Sequence, residues 1–242
     1  MSHIARNIIV TLDFDGCVAL GEPVKIKYAK IYHNIDVTSR QIVKETYPIG
    51  KDKYKELMDK VTTEHIMEYV LDSQCKEVLD ELYVQGFRFA VVTSRTGPEL
   101  EAAKQFCKIN SLPISYYHAT SNSPKTIICK KLKSRAMIDD SLLKLIDLID
   151  TPLHLFFLKR EWNKHEKVSG ELKNLVSVVS NWGEFYSGLL DLRNLHEAVC
   201  YYNHWRNNFA HVQRISDFIK SDPKTAKVYL SDYTLIKQKL NL

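Results

Sequence analysis

Residues 7–16 read Asn-Ile-Ile-Val-Thr-Leu-Asp-Phe-Asp-Gly. The apolar run at residues 8–12 predicts a buried β-strand, and two carboxylates, Asp13 and Asp15, stand just beyond it. Gly16 then allows the chain to turn sharply away from the strand. Because open α/β sheets bind ligands at the carboxyl ends of their strands, this stretch predicts an α/β fold with a site at the end of the first strand.

Three later groups of polar residues stand in a similar position, just after an apolar stretch or at the start of a helix. They are Thr93-Ser94-Arg95 after residues 87–92, Lys125 after the turn at 121–124, and Asp139-Asp140 after residues 136–138. Pro124 is expected at the first position of the helix that Lys125 begins. Each group alone has an ordinary structural explanation as a turn, a helix cap or a solvated side chain. Their shared context favours one catalytic site.

The order and context of these four groups resemble the haloacid dehalogenase-like phosphohydrolase superfamily over roughly residues 7–180. The roles implied by the resemblance are nucleophile for Asp13, general acid and base for Asp15, phosphate-binding hydroxyl for Thr93, charge-neutralising ammonium for Lys125, and metal ligands for Asp139 and Asp140. One departure is Cys17, which stands where many members carry threonine. It does not touch the implied chemistry, so the class is unaffected and the subfamily stays open.

The carboxylates indicate a metal on their own chemistry. Those of Asp13, Asp15, Asp139 and Asp140 can stay ionised together at one sheet edge only if a cation offsets their repulsion. No His or Cys accompanies them in these motifs, so a hard, oxygen-preferring ion is indicated. We therefore predict Mg²⁺ rather than Zn²⁺, bound by these four side chains.

Phosphoryl transfer suits this set of residues because it needs neutralised charge and an in-line nucleophile. Asp13 would form an acyl phosphate, and Asp15 would protonate the leaving alkoxide and later deprotonate water. The candidate substrate-binding residues are Gly16, Ser94 and Arg95. The paired acids favour a phosphatase or a phosphotransferase acting on a small phosphorylated substrate.

Strand-like and helix-like segments alternate between these motifs. Helical spacing predicts helices at 75–86 and 98–106, and apolar runs predict strands at 114–117, 153–158 and 175–179. Such a series implies an α/β fold with a mainly parallel, Rossmann-like sheet and helices on both faces.

Two segments lie outside the catalytic core, which we place at residues 1–20 and 72–180. Residues 21–71 are mostly helical in pattern, and by the family resemblance an insertion here forms a small helical cap. Residues 181–242 form a C-terminal helical extension. Its apolar stripe, at Tyr201, Trp205, Phe209 and Val212, predicts packing on the core or a homodimer through these helices.

Four tyrosines of the cap segment raise the question of the substrate. Tyr28, Tyr32, Tyr47 and Tyr54 could stack on a base, which would favour a nucleotide monophosphate and an arrangement similar to 5'-deoxyribonucleotidases. The alternative is that they pack inside the cap. We expect packing for most of them because a helical aromatic stripe is more often core.

Composition narrows the class of protein. Of 242 residues, 45% are hydrophobic and 26% are charged, as in ordinary globular proteins. The net charge of +5 is too small and dispersed to indicate binding of a nucleic acid polymer. The first apolar run is too short to span a bilayer, and five scattered cysteines fit a reducing compartment, so we expect a cytoplasmic protein without membrane contact.

The alternative function is a non-catalytic scaffold of the same fold that recruits a partner through its C-terminal helices.

Overall fold

The computed structural model describes residues 8–121, 123–204, 216–217 and 219–223. The strands in this part of the chain are β1 (Ile8–Leu12), β2 (Ala19–Leu20), β3 (Val70–Leu71), β4 (Phe87–Thr93), β5 (Ile114–Ala119), β6 (Ala136–Asp139), β7 (His154–Leu158) and β8 (Val176–Val179). The helices are α1 (Glu22–His33), α2 (Lys51–Val61), α3 (Cys75–Val84), α4 (Gly97–Ile109), α5 (Thr126–Leu132), α6 (Leu142–Ile146) and α7 (Trp182–His204). Short 3-10 turns lie at Ile66–Glu68 and Gly170–Asn174.

Six strands form one sheet in the order β5-β4-β1-β6-β7-β8, and all neighbouring pairs are parallel. This confirms the predicted Rossmann-like α/β fold. Leu12 of β1 pairs with Val91 of β4 on one side and with Ile138 of β6 on the other. The polar residues that follow these three strands therefore emerge at the same edge of the sheet.

Two apolar clusters, one on each face of the sheet, bury the central strands. Adjacent residues of a strand belong to different clusters: Ile138 of β6 lies in the larger cluster and Met137 in the smaller. Helices α3, α4 and α7 contribute side chains to the larger cluster, and α5 and α6 contribute to the smaller. Strands covered on both faces need apolar residues at nearly every position, which is why they read as continuous apolar runs.

The cap is built from α1 and α2 and is inserted after β1. Strands β2 and β3 pair antiparallel where the chain enters and leaves it, with Ala19 opposite Leu71. Helix α1 ends at Asn34, whose φ of 53° is left-handed, and α2 begins after Gly50.

Three of the four cap tyrosines hold the cap together. Tyr28 stacks on His65 at 3.7 Å between ring centroids, and Tyr32 donates to or accepts from the same imidazole at 2.6 Å. Tyr47 is buried and bonds His33 at 2.8 Å. Tyr54 is the exception, because it lines the cavity described below.

Helix α7 begins the C-terminal extension and packs on the core. Trp182, Phe185, Leu189 and Leu192 are buried at helical spacing and belong to the larger cluster. The predicted stripe lies outside the described residues at Trp205, Phe209 and Val212, as does the side chain of Tyr201. A homodimer through these helices stays a prediction.

Helix α5 starts two residues later than the proline pattern predicts. Lys125 is its N-cap residue and Thr126 its first residue, so Pro124 stands before the cap and not at the first helical position. In this arrangement Lys125 leaves the helix axis and turns back toward β1, which its contacts with the site require.

Four cysteines, Cys17, Cys75, Cys107 and Cys129, are buried free thiols. Among the described residues, no helix combines the length and apolar character needed to cross a membrane.

Candidate active site

Asp13 lies at the centre of the candidate site, directly after β1. Its backbone N–H donates to the Ile138 carbonyl at 2.9 Å, which continues the strand pairing by one residue. Its carboxylate is 1% exposed. Lys125 Nζ donates to Oδ1 at 2.6 Å, and Lys144 Nζ lies 3.5 Å from Oδ2. A buried carboxylate is thus held between two ammonium groups.

Lys125 joins two acids that come from different strands. Its Nζ also donates to Oδ2 of Asp139 at 2.8 Å. Burial alone would lower the pKa of Lys125, but the Asp13 and Asp139 carboxylates outweigh it and raise that pKa. Lys125 therefore stays charged although its side chain is buried.

Asp13, Asp139 and Asp140 form a group in which one carboxylate oxygen from each residue lies within 4.8 Å of the other two. Burial and the neighbouring Asp13 raise the pKa of Asp139. Burial and the charges of Asp139 and Asp13 raise the pKa of Asp140 to about 7. Three carboxylates this close together, with oxygen donors alone, make a group that suits a hard divalent cation.

Asp15 is separate from this group. The prediction joined four carboxylates, whereas the structure groups three and pairs the fourth with Arg95, at 2.8 Å to Oδ2 and 2.9 Å to Oδ1. Burial alone would raise the pKa of Asp15, but the guanidinium of Arg95 outweighs it and holds that pKa well below its usual range. A metal-binding role for the Asp15 side chain has no support from this geometry and stays a prediction.

Thr93 and Ser94 follow β4 as expected. Thr93 is buried, its Oγ1 accepts from the Arg95 backbone N–H at 3.3 Å, and its carbonyl accepts from the Thr120 N–H at 2.8 Å. Ser94 is half-buried. Their roles toward phosphate stay predictions, as does a direct substrate contact by Arg95.

Gly16 lies against Asp140 in a conformation that favours glycine. Its φ is +77°, and a Cβ added there would lie 2.1 Å from Oδ2 of Asp140 and 2.9 Å from the Trp162 ring. The position of Asp140, just after β6, therefore requires a residue without a Cβ in the turn that leaves β1.

Sequence reasoning missed four residues that shape the site. Trp162 Nε1 donates to Oδ2 of Asp140 at 2.7 Å, and Asn163 Nδ2 donates to the carbonyl of Asp140 at 2.7 Å. Arg160 Nε donates to the carbonyl of Gly16 at 2.8 Å. All three follow β7, so the rule that ligands collect at carboxyl ends of strands, applied to this strand too, would have found them. Lys144 is the fourth, and it carries no signal in the sequence because one lysine in a helix looks solvated.

A cavity of about 570 Å³ opens over these groups. Of the predicted site residues within the described chain, Asp13, Asp15, Gly16 and Asp140 line it. The cap supplies its roof through Lys25, residues 39–40 and 42–46, and Tyr54, and the segment after β7 supplies Trp162 as a wall. The acids thus face a space that is much larger than a phosphate group and is bounded by the cap.

A family match covers most of the segment that carries these groups and begins one residue after Asp13. The model of haloacid dehalogenase-like hydrolases matches residues 14–143, more than half of the chain. The chain belongs to the haloacid dehalogenase-like hydrolases. No curated protein sequence matches this hydrolase significantly.

Solved structures of other hydrolases share its fold. A haloacid dehalogenase-like hydrolase from Bacteroides fragilis superposes with a TM-score of 0.55 at 13% identity, over 74% of this chain and all of that one. A predicted phosphatase from Clostridium acetobutylicum gives 0.56 at 17%, over 76% and 99%. CbbY from Rhodobacter sphaeroides, solved with phosphate, gives 0.54 at 16%, over 74% and 96%. At such identities the likeness shows the fold alone.

Proposed function

We propose that this haloacid dehalogenase-like hydrolase is a Mg²⁺-dependent phosphatase that cleaves a small phosphate monoester through an aspartyl-phosphate intermediate on Asp13. The observation that carries the proposal is the position of the Asp13 carboxylate. It lines the cavity, is held by Lys125 at 2.6 Å, and stands in a group with Asp139 and Asp140. A nucleophile beside fixed positive charge and a cation site is what phosphoryl transfer requires.

The three grouped acids fit Mg²⁺ better than Zn²⁺ because all their donors are oxygens. Asp13, Asp139 and Asp140 would hold the ion. When bound, it supplies positive charge for the oxygens of the transferring phosphoryl group. Lys125 supplies a second positive charge, because its ammonium is held by the carboxylates of Asp13 and Asp139.

The reaction then proceeds in two balanced steps. A carboxylate oxygen of Asp13 bonds to phosphorus while the ester P–O bond breaks. Arg95 holds Asp15 ionised in this structure, so Asp15 first takes up a proton from solvent as that contact loosens, and then gives the proton to the leaving oxygen. In the second step Asp15, now ionised, takes a proton from water as the water oxygen bonds to phosphorus. The acyl-phosphate bond breaks, inorganic phosphate leaves, and Asp13 is regenerated.

The cap is the proposed source of substrate selection. The catalytic groups belong to the core, whereas Lys25, Tyr54 and residues 42–46 reach the same cavity from the cap. The cavity is large enough for a leaving group beyond the phosphate, and a nucleoside is one candidate. Of the cap tyrosines, Tyr54 is the one positioned to contact such a group. CbbY, which shares the fold, has been solved with phosphate and with xylulose-1,5-bisphosphate.

The test is hydrolysis of a generic aryl phosphate with and without Mg²⁺. We expect Mg²⁺-dependent turnover by the natural chain and a loss of at least about a thousandfold in Asp13→Asn, because the attacking oxygen is removed at nearly constant volume. Asp36→Asn, which changes an exposed carboxylate of the cap, is the matched control and should leave turnover unchanged. Turnover by Asp13→Asn close to that of the control would contradict the proposal. If the natural chain hydrolyses neither this ester nor any of a panel of phosphorylated metabolites, the scaffold alternative is favoured.

A further inference from the structure

Arg95 is a buried arginine whose guanidinium is held from several sides. Only 3% of the surface of Arg95 is exposed. The guanidinium carbon lies 4.8 Å from the centre of the Phe14 ring and 5.7 Å from that of Tyr69. Both distances are within the range of cation–π contacts, so the plane of the guanidinium is confined.

The hydrogen bonds of Arg95 connect two parts of the molecule. Two of its N–H groups donate to the two oxygens of Asp15, at 2.8 Å and 2.9 Å. Its Nη1 donates to the backbone carbonyl of Thr62 at 2.9 Å. Thr62 is the residue that ends α2 in the cap. One side chain therefore contacts both the proposed acid–base residue of the core and the backbone of the cap.

Thr62 is itself fixed between the cap and the core. It is 2% exposed, and its Oγ1 lies 2.6 Å from the Met58 carbonyl of α2 and 2.8 Å from Oε1 of Glu99 in α4. The carbonyl that Arg95 contacts thus belongs to a residue that is bonded both to α2 of the cap and to α4 of the core. A displacement of the cap would remove one of the three hydrogen bonds that orient the guanidinium.

We propose that Arg95 is a positioning residue that sets the place of Asp15 according to the position of the cap. This inference rests on the proposed function, in which Asp15 is the acid and base. The bidentate contact fixes the carboxylate plane of Asp15, and the contact with Thr62 makes that orientation depend on the cap. The sequence-based expectation, in which Arg95 contacts the substrate, would use the same N–H groups that Asp15 and Thr62 occupy here.

The kinetic test compares two esters that differ in their need for a proton donor. An aryl phosphate with an acidic leaving group needs little help from Asp15, whereas an alkyl phosphate needs its proton. In Arg95→Lys and Arg95→Gln we expect kcat for the alkyl ester to fall at least about tenfold more than kcat for the aryl ester, with KM little changed, because Lys cannot reproduce the two-point contact. A direct phosphate contact would instead raise KM for both esters equally, and that result would overturn the proposal. Arg88→Lys, in the strand β4 that precedes Arg95 and in contact with the Tyr83 ring, is the matched control.

A double variant separates action through Asp15 from independent action. If Arg95 works through Asp15, adding Arg95→Gln to Asp15→Asn should cause no further loss for the alkyl ester. Multiplied losses in the double variant would show that Arg95 acts by another route and would overturn the proposal.

Hydrogen exchange of the α2 amides provides a readout that needs no turnover. We expect several-fold faster exchange over residues 51–61 in Arg95→Gln than in Arg88→Lys, because the cap loses a hydrogen bond to the core. Thr62→Val should produce a change in the same direction, whereas Thr63→Val, beside it on the same turn, should not. Unchanged exchange in both Arg95→Gln and Thr62→Val would overturn the coupling. A natural chain that hydrolyses no ester while the exchange differences appear would remove the proposed function and leave the contact between Arg95 and the cap.

Discussion

Lys125 shows how one residue connects strands that are far apart in the sequence. Its ammonium is shared by Asp13 and Asp139, which end β1 and β6, and it is almost fully buried. Removing one member of a buried ion group leaves the others uncompensated, which costs more than the group contributes when complete. The residue is therefore important to stability as well as to the proposed chemistry.

Lys125→Met should lower the free energy of unfolding by about 3–5 kcal/mol in the absence of metal and abolish phosphatase activity. The charge is lost while the volume is nearly kept, so the effect reports on the ion group. Chemical denaturation of the metal-free protein is the measurement. Lys130→Met changes an exposed lysine of the same helix and should alter the unfolding free energy by less than about 0.5 kcal/mol. Equal effects of the two variants would contradict the assignment.

Tyr54 differs from the other cap tyrosines because it lines the cavity. Burial and the nearby Asp15 raise the pKa of its hydroxyl, so the group stays neutral and can donate a hydrogen bond. Tyr54→Phe should change kcat/KM by about two- to tenfold on esters whose leaving groups reach the cap, and less on small ones. Tyr32→Phe, whose hydroxyl bonds His65 inside the cap, should leave the preference among esters unchanged. A uniform loss on every ester in Tyr54→Phe would contradict a role in selection.

At this scale the sequence predicts acids well and their neighbours poorly. Asp13, Asp139 and Asp140 were predicted because carboxylates that follow apolar runs share a sheet edge. The separation of Asp15 was not predicted, because Arg95 lies 80 positions along the chain and only the folded structure brings the two together. Lys144 was missed for the same reason: its ammonium gains significance only from Asp13, which raises its pKa.

The turn after β1 is the element on which the geometry of the site depends most. Gly16 has a positive φ and leaves no room for a Cβ beside Asp140. Gly86, which closes the helix before β4, has a φ of +96° but has open space around it. Both glycines have a positive φ, but a Cβ would collide with a neighbouring side chain only at Gly16.

Gly16→Ala should therefore reduce activity by about a hundredfold or more, because Asp140 must move to make room for the methyl group. Gly86→Ala should keep full activity and lose only about 1–2 kcal/mol from the left-handed conformation. Activity assays and denaturation of both variants are the measurement. Full activity in Gly16→Ala would mean that the position of Asp140 is not needed for the reaction.

Elements were predicted best where burial is two-sided. The strands after residue 86 were expected within two residues of their observed bounds. For β4, β6 and β7 the reason is that helices on both faces require apolar side chains at nearly every position. The start of α5 was misplaced because Pro124 fits both the first helical position and the position before the cap, and the contacts of Lys125 with Asp13 and Asp139 decide between them. The segment after β7 has no periodic pattern, so only its position at the carboxyl end of a strand could have indicated its contacts with Asp140.

On the scale of the whole molecule, the grouped acids link metal binding to folding. The carboxylates of Asp13, Asp139 and Asp140 lie close together, and a cation bound there only in the folded state would stabilise that state by mass action. Mg²⁺ at a hundredfold excess over its dissociation constant should add about 2.7 kcal/mol to the free energy of unfolding. Asp139→Asn with Asp140→Asn should erase that gain.

The matched control for this test is the double variant Asp147→Asn with Asp150→Asn, which changes two exposed carboxylates after α6. It should keep the full response of the melting temperature to Mg²⁺. A response that survives in the first double variant and not in the control would place the metal outside the proposed group.

The most direct measurement of the central claim is the capture of a phosphoryl group on Asp13 during turnover. The chain is mixed with Mg²⁺ and an ester that it hydrolyses, quenched in acid within the first turnovers, and its intact mass is measured. Borohydride reduction then marks the modified carboxyl for peptide mapping. We predict a transient mass increase of one phosphoryl group, mapped to the peptide of residues 7–24 at Asp13 and absent in Asp13→Asn. Steady turnover with no covalent adduct at any time, or an adduct on a different residue, would contradict the account.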